Sequence, residues 1–248
     1  MRTLKLLLAY DGTAYVGWQR QENGLSIQEC VEEAFRPLAP RADGSAPVVI
    51  GAGRTDAGVH ALGQVASVKV EIDLAPDVVL RALNIRLPAD IRVIDVADAD
   101  AEFHARYQAV AKSYRYRVVT TDVMSPFDRL WAWHAPGRYD VAAMQSAAAG
   151  FEGRHDFASF QTSGSPVSDT IRTMHRVEVT ARDGEILVGV EGDGFLRHMV
   201  RAMVGTLLDV GAGRRSADSM SSILTAGDRG ASGRTVPARG LTLVSVRY

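Results

Sequence analysis

The order in which two periodicities alternate along the first hundred residues constrains this chain more than any other feature. "LKLLLAYD" reads as a strand. Ser26 stands as a helix N-cap with Glu29 three residues on, a capping box. Ile27, Val31, Ala34, Phe35 and Leu38 follow at helical spacing, and Pro37 marks the stop. "PVVI" reads as a short strand. Beyond a run of glycines, Val68, Val70 and Ile72 alternate with Lys69 and Glu71, the period of a strand. A helix over 76–84 and the strand "IRVIDVA" complete the order strand, helix, strand, strand, helix, strand, which is ferredoxin-like.

The remainder varies the same plan without a recognisable sequence repeat. "KSYRYRVVT" is expected to be a strand and Asp140 to Ala149 a helix. "TIRTMHRVEVTA" and "EILVGVEG" form a hairpin around "RDG". Residues 195–212 are expected to be the strongest helix, with a stripe of Leu196, Met199, Val200, Met203, Val204, Leu207 and Leu208. A shorter helix over 216–226 and the strand "GLTLVSVRY" close the chain. The fold class that follows is α+β: two ferredoxin-like, or RRM-like, halves with mostly antiparallel mixed sheets. They are expected to divide near residue 104 into 1–104 and 105–248, with a cleft between them as the place for a site.

Composition narrows the function classes. The 248 residues are 46% apolar and 23% charged, enough for a full-sized core. No apolar run approaches the ~20 residues of a membrane span, and "MRTLKLLLAYDGTAY" is cut short by Asp11 and Gly12 with no secretory cleavage pattern. A single cysteine, Cys30, excludes an internal disulfide and a Cys-rich zinc site. A cytoplasmic protein is expected. The six histidines show no metal-ligand spacing, and neither a P-loop nor G-x-S-x-G occurs. Net charge is -1, with 28 Lys+Arg against 29 Asp+Glu, which by itself argues against a nucleic-acid binder. Yet residues 103–120 hold Arg106, Lys112, Arg115 and Arg117 and no acid, a local positive stretch.

Three constellations carry possible chemistry. In "GAGRTDAGVHALGQVASV", residues 51–68, the glycines invite a dinucleotide-binding reading. That reading fails because Asp56 takes the third glycine's place and a strand follows, not a helix. Asp56 serves either as an Asx-turn residue holding the loop or, with Arg54 two residues away, as an oriented carboxylate nucleophile or base. On the strand around residue 115, Tyr114 and Tyr116 share one face and Arg115 and Arg117 the other. The tyrosines are then core residues, or a platform for a base with Lys112 and the arginines on phosphates. Arg197 and Arg201 lie four apart and so share one helical face at the border of the apolar stripe. There they snorkel or reach a carboxylate. The loop "YDGTAYVGWQRQ" adds Tyr10, Asp11, Tyr15, Trp18, Gln19 and Arg20, groups able to contact RNA. In "GRHDFASF", His155 and Asp156 fit a cap as readily as a site.

Together, "YDGTAYVGWQRQ", "SIQECVEEAF", "GAGRTDAGVHALGQVA", "LNIRLPADIRV", "FHARYQAVAKSYRYRV", "GRHDFASF", "TIRTM", "FLRHMVRAMVG" and "ARGLTLVSVRY" occur in the order of the TruA family, which the chain resembles over nearly its whole length. Those enzymes are tRNA pseudouridine synthases. Ala202 departs from the asparagine expected after Arg201. The resemblance implies that Asp56 is the catalytic aspartate, that Arg54 helps bind and flip the target nucleotide, that Tyr114 stacks on the flipped uracil, and that Arg201 pairs with the catalytic carboxylate. Beside these assignments, Arg20, Lys112, Arg115 and Arg197 are candidates for RNA contact from their place in the basic and loop segments. The resemblance further implies action on tRNA positions 38, 39 and 40 in the anticodon stem-loop by a homodimer, with neither metal nor organic cofactor and no membrane. On this reading the glycines of residues 51–58 let the backbone approach RNA, with Asp56 at the tip of the turn. Two rivals stand beside it. An RNA-binding module without catalysis would have no need of Asp56. A carboxylate hydrolase would want a second carboxylate opposite the first.

Overall fold

In the computed structural model, which describes residues 1–162 and 169–248, strand β1 (Arg2–Tyr10) sends Leu4, Leu6, Leu8 and Tyr10 to one buried face. The chain forms two units, Met1–Val110 with Leu243–Tyr248 and Ala111–Thr242.

In the first unit, helix α1 (Ile27–Phe35) starts where expected, with the Ser26 hydroxyl accepting from the Glu29 amide at 3.2 Å. The other half of the capping box is diverted, since the Glu29 carboxylate accepts from Arg20 at 3.3 Å. So short a helix is unstable alone. Full burial of Ile27, Val31 and Phe35, at about 1.5–3 kcal/mol each, holds it in place. Strand β2 (Val49–Gly51) is followed by β3 (His60–Val70), which begins well before the alternation visible in the sequence. Gln64, Val65, Ala66, Ser67 and Val68 are all buried, and burial on both faces hides period two from a sequence reading. Helix α2 (Pro76–Arg86) opens on its proline and buries Val79 and Leu83. Strand β4 (Ile91–Ala99) lies beside β1. The strands run β4-β1-β3 with β2 on the far side of β3, every pair antiparallel, which is the ferredoxin-like order expected.

The second unit contains β5 (Ala111–Val119), β6 (Trp133–His134), α3 (Val141–Ala149), β7 (Gly153–Asp156), β8 (Ile171–Arg182), β9 (Glu185–Gly192), α4 (Met199–Gly211), α5 (Met220–Ala226) and the start of β10 (Leu241–Arg247). Asp140 caps α3 by accepting from the Ala143 amide at 2.9 Å. Asp183 and Gly184, both at positive φ, turn β8 into β9, as an Asp-Gly hairpin does. The strands run β5-β9-β8-β7, antiparallel, with β6 parallel to the end of β5. The last residues of β10 belong to the first unit, along β3. The α+β class and the mostly antiparallel pairing are those expected.

One helix differs from expectation. α4 begins at Met199, because His198 sits in the left-handed region at φ 64. Thr162 holds the preceding turn open: its amide and hydroxyl both donate to the Arg197 carbonyl at 3.3 Å, and its hydroxyl meets His198 Nδ1 at 2.7 Å. Arg197 therefore precedes the helix, and the expected face shared with Arg201 does not exist. Among the described residues no helix is long and apolar enough to cross a membrane.

Candidate active site

The loop between β2 and β3 carries Asp56, and its backbone is fastened residue by residue. The Ala52 amide donates to the Val65 carbonyl at 2.7 Å. The Gln64 amide nitrogen donates to the Gly53 carbonyl at 3.0 Å. The Thr55 hydroxyl shares a 2.9 Å hydrogen bond with the Tyr10 phenol, and the Thr55 carbonyl accepts from the Trp18 amide at 3.0 Å. Asp56 pairs with Gly17 in an isolated antiparallel bridge, and its carbonyl accepts from the Val59 amide at 3.1 Å. Thr55 is thus turned inward at 6% exposure. Its neighbours Arg54, exposed, and Asp56, half-buried, flank it on the outward side.

Two of the glycines serve packing within the chain. A Cβ on Gly51 would stand 2.5 Å from the Trp18 ring, and one on Gly17, at φ +108, would overlap the Thr55 carbonyl. These residues let two loops of the same chain close on each other. For the same reason Tyr10, Tyr15 and Trp18 are core residues, 4%, 6% and 2% exposed, and not the RNA-contacting groups their loop suggested. Tyr15 donates to Asp90 at 2.6 Å, and Asp11 meets the buried His60 ring at 3.1 Å.

Behind Asp56 lies a buried polar group that the sequence reading missed. Burial pushes the Tyr10 phenol up to about 12, against the lowering effect of its hydrogen bonds to Thr55 and Gln64. Gln64 is fully buried, and its Oε1 has no hydrogen-bond partner among the described residues. Tyr10 and Gln64 both occupy inward positions on strands, where a polar residue is the signal that could have flagged them.

In the second unit the tyrosines of β5 face the core. Tyr116 is fully buried and donates to the Pro237 carbonyl at 2.7 Å. Tyr114, 8% exposed, packs edge-on against Phe195 with ring centres 5.0 Å apart. Arg115 is exposed and Lys112 half-buried. Arg117 is held by Glu185 at 2.5 Å and Asp128 at 3.0 Å, which neutralises part of the positive stretch. Arg201, half-buried on α4, donates from Nε to the Val236 carbonyl at 2.7 Å. Arg197 is exposed. Arg20, in the first unit, lies within 3.8 Å of Glu29, Glu32 and Glu33 with 46% of its side chain exposed. Exposed pairs are worth about 0–1 kcal/mol each, so Arg20 is engaged but open to exchange. Asp156 caps a short turn by accepting from the Ala158 amide at 2.9 Å, a structural role. Among the described residues no group of three or more His, Cys, Asp or Glu could hold a metal ion.

A family model for tRNA pseudouridine synthase matches residues 7–108 and 147–248. The chain is 43% identical over its full length to tRNA pseudouridine synthase A of Geobacter sp. (strain M21), covering 99% of that protein. It is 44% identical, again over its full length, to the enzyme of that name from Syntrophotalea carbinolica, covering 97% of it. With the one from Halalkalibacterium halodurans it shares 42% identity over 97% of this chain and 90% of the relative.

Proposed function

The chain belongs to the tRNA pseudouridine synthase family, and on that premise we propose that it isomerises uridine to pseudouridine in tRNA, at positions 38, 39 and 40 of the anticodon stem-loop. The observation that carries this reading is the half-buried Asp56 on a loop whose backbone is fastened by Val65, Gln64, Tyr10, Trp18 and Gly17. The reaction breaks the bond from N1 of uracil to C1′ of ribose, turns the base, joins C5 to C1′, and releases the C5 proton. A carboxylate opens the first bond by attacking C1′ or by removing the 2′ proton. Both routes require one oriented carboxylate and no redox partner, and a loop fixed in advance lowers the cost of orienting it.

The target base must leave its stack, at a cost of a few kcal/mol. Stacking on one aromatic ring returns about 1–3 kcal/mol, which is the role proposed for Tyr114. Its edge contact with Phe195 supports this, because it fixes the ring plane before a base arrives. Arg54, exposed beside Asp56, is proposed to bind and flip the nucleotide. Arg201, held by the Val236 carbonyl, is proposed to act in the same reaction, and Arg20, Lys112, Arg115 and Arg197 to meet the RNA backbone. A cytoplasmic homodimer is part of the same proposal.

Tritium release from a tRNA transcript labelled at uridine C5 tests the reading. Wild type is expected to release tritium and Asp56→Asn to bind tRNA without releasing it. Release by neither protein, with tRNA bound, would replace the synthase with a binding module. Arg201→Ala is expected to lower turnover in the same assay by more than tenfold, about the loss of one charge-assisted contact. Unchanged turnover would take Arg201 out of the reaction.

A further inference from the structure

The segment "GRTVPARG", residues 233–240, carries two exposed arginines that the reaction above does not use. Its backbone is held from several directions. The Gly233 amide donates to the Thr206 hydroxyl at 2.8 Å. The Arg229 guanidinium donates to the Gly233 carbonyl and the Thr235 hydroxyl, each at 2.8 Å. The Val236 carbonyl accepts from Arg201 and the Pro237 carbonyl from Tyr116, each at 2.7 Å.

From this frame Arg234 reaches over the Trp133 ring, 4.6 Å from its centre. Stacking holds a guanidinium by its face and leaves the N–H edge for a second, planar partner. Carboxylates neutralise several other arginines of this unit, Asp209 holding both Arg214 and Arg215 and Glu185 holding Arg117. Among the described residues no carboxylate pairs with Arg234. Burial raises the pKa of the Tyr116 phenol, and the charges of Arg201, Arg239 and Arg234 act on it in the opposite direction. Arg234 and Arg239 therefore lie close enough to this one phenol for their charges to be felt there.

We propose that Arg234 and Arg239 form a phosphate subsite for the RNA backbone, beside Arg201 on the same unit. The subsite rests on RNA as the substrate, as in the reading above, and adds a place where the backbone of that RNA is held. Arg234 offers a fixed, stacked fork for two phosphate oxygens. Arg239 adds a second charge from the other end of the same pinned segment.

The test is the salt dependence of tRNA affinity, measured between about 50 and 200 mM. The proteins compared are wild type, Arg234→Gln/Arg239→Gln, Arg239→Gln alone, Arg234→Lys, and a control, Arg182→Gln, at a side chain 90% exposed on the β8–β9 turn. Neutralising a phosphate contact removes about 0.7–0.9 from the log–log slope. The double variant is therefore expected to lose about 1.4–1.8 and the single variant half of that, with KM for tRNA rising more than kcat falls. Arg234→Lys and the control are expected to keep the wild-type slope. Arg239→Gln does not disturb the Trp133 stack, so it reports even where the double variant folds poorly. A wild-type slope in Arg239→Gln and in the folded double variant would overturn the subsite. Failure of the synthase reading would look different, as absent tritium release by wild type with the slope difference intact.

Discussion

Gly-Arg-Thr occurs at residues 53–55 and again at 233–235, and the protein sets the two copies by different means. The first is gripped by core side chains. Thr55 turns inward to Tyr10 on β1, and Gln64 on β3 takes the Gly53 carbonyl. The second is gripped by a helix backbone. Gly233 wedges against Gly205 and Thr206 of α4, and a Cβ on Gly205 would overlap the Arg234 carbonyl. Thr235 here looks to a half-buried arginine, Arg229. Both copies leave their arginine exposed on a fixed backbone, so presenting a charge is the shared part. The next residue separates them. Asp56 adds a half-buried carboxylate, whereas Val236 is fully buried and closes its segment onto Arg201. One copy thus sets a carboxylate beside its arginine, and the other presents its arginine beside a buried apolar residue.

The largest effect separating the two copies should come from Asp56→Asn. Turnover in single-turnover tritium release is expected to fall by about 10⁴-fold or more, the scale for removing a nucleophile or base, while tRNA affinity largely survives. Neutralising Arg234 should do the reverse, weakening affinity while some turnover persists. If both variants lost affinity and turnover in the same proportion, the division of labour would be gone.

Smaller effects come from the glycines. Gly17→Ala places a Cβ against the Thr55 carbonyl at a backbone angle of φ +108 and is expected to cost about 1–3 kcal/mol in urea unfolding. Its loss of turnover should exceed its loss of affinity, because the strain falls on the Asp56 loop. Gly205→Ala strains the other copy and should reduce the salt slope of tRNA binding more than it reduces turnover. Indistinguishable profiles for the two alanines would show that the segments do not act separately.

The smallest effect is in the support behind Asp56. Tyr10→Phe removes the hydrogen bond to Thr55 and is expected to cost about 1 kcal/mol at neutral pH. The folded-state pKa of Tyr10 lies near 12, above its ordinary 10.0. Its contribution to stability is thus complete below pH 10 and is lost as pH rises towards 12. Urea midpoints of wild type and Tyr10→Phe should draw together above pH 10, and a constant gap would mean that Tyr10 is not confined as described.

Much of the fold was legible because its signals are local. Ser26 and Asp140 cap helices within three residues of themselves, and Asp183-Gly184 turns a hairpin by its own backbone angles. The alternation of strands and helices needed only periods of two and 3.6. The residues of the candidate site were legible in a narrower sense, since the motif around Asp56 stands out in the sequence while its support does not. The start of α4 was misread because Thr162, some 36 residues away, holds Arg197 and His198 out of the helix.

The sequence by itself determined most of the element order, all but the short strands β6 and β7, together with the caps, the turns and the kinship with tRNA pseudouridine synthases. Tertiary structure alone decided which way the chemistry-bearing residues face. Tyr10 reaches Thr55 across 45 residues, and Gly51 is bare because Trp18 fills the space where its side chain would stand. An aromatic residue in a glycine-rich loop has the same composition whether it meets RNA or its own core. The choice is made by apolar area removed from water against a partner distant in the chain, and no local pattern records that partner.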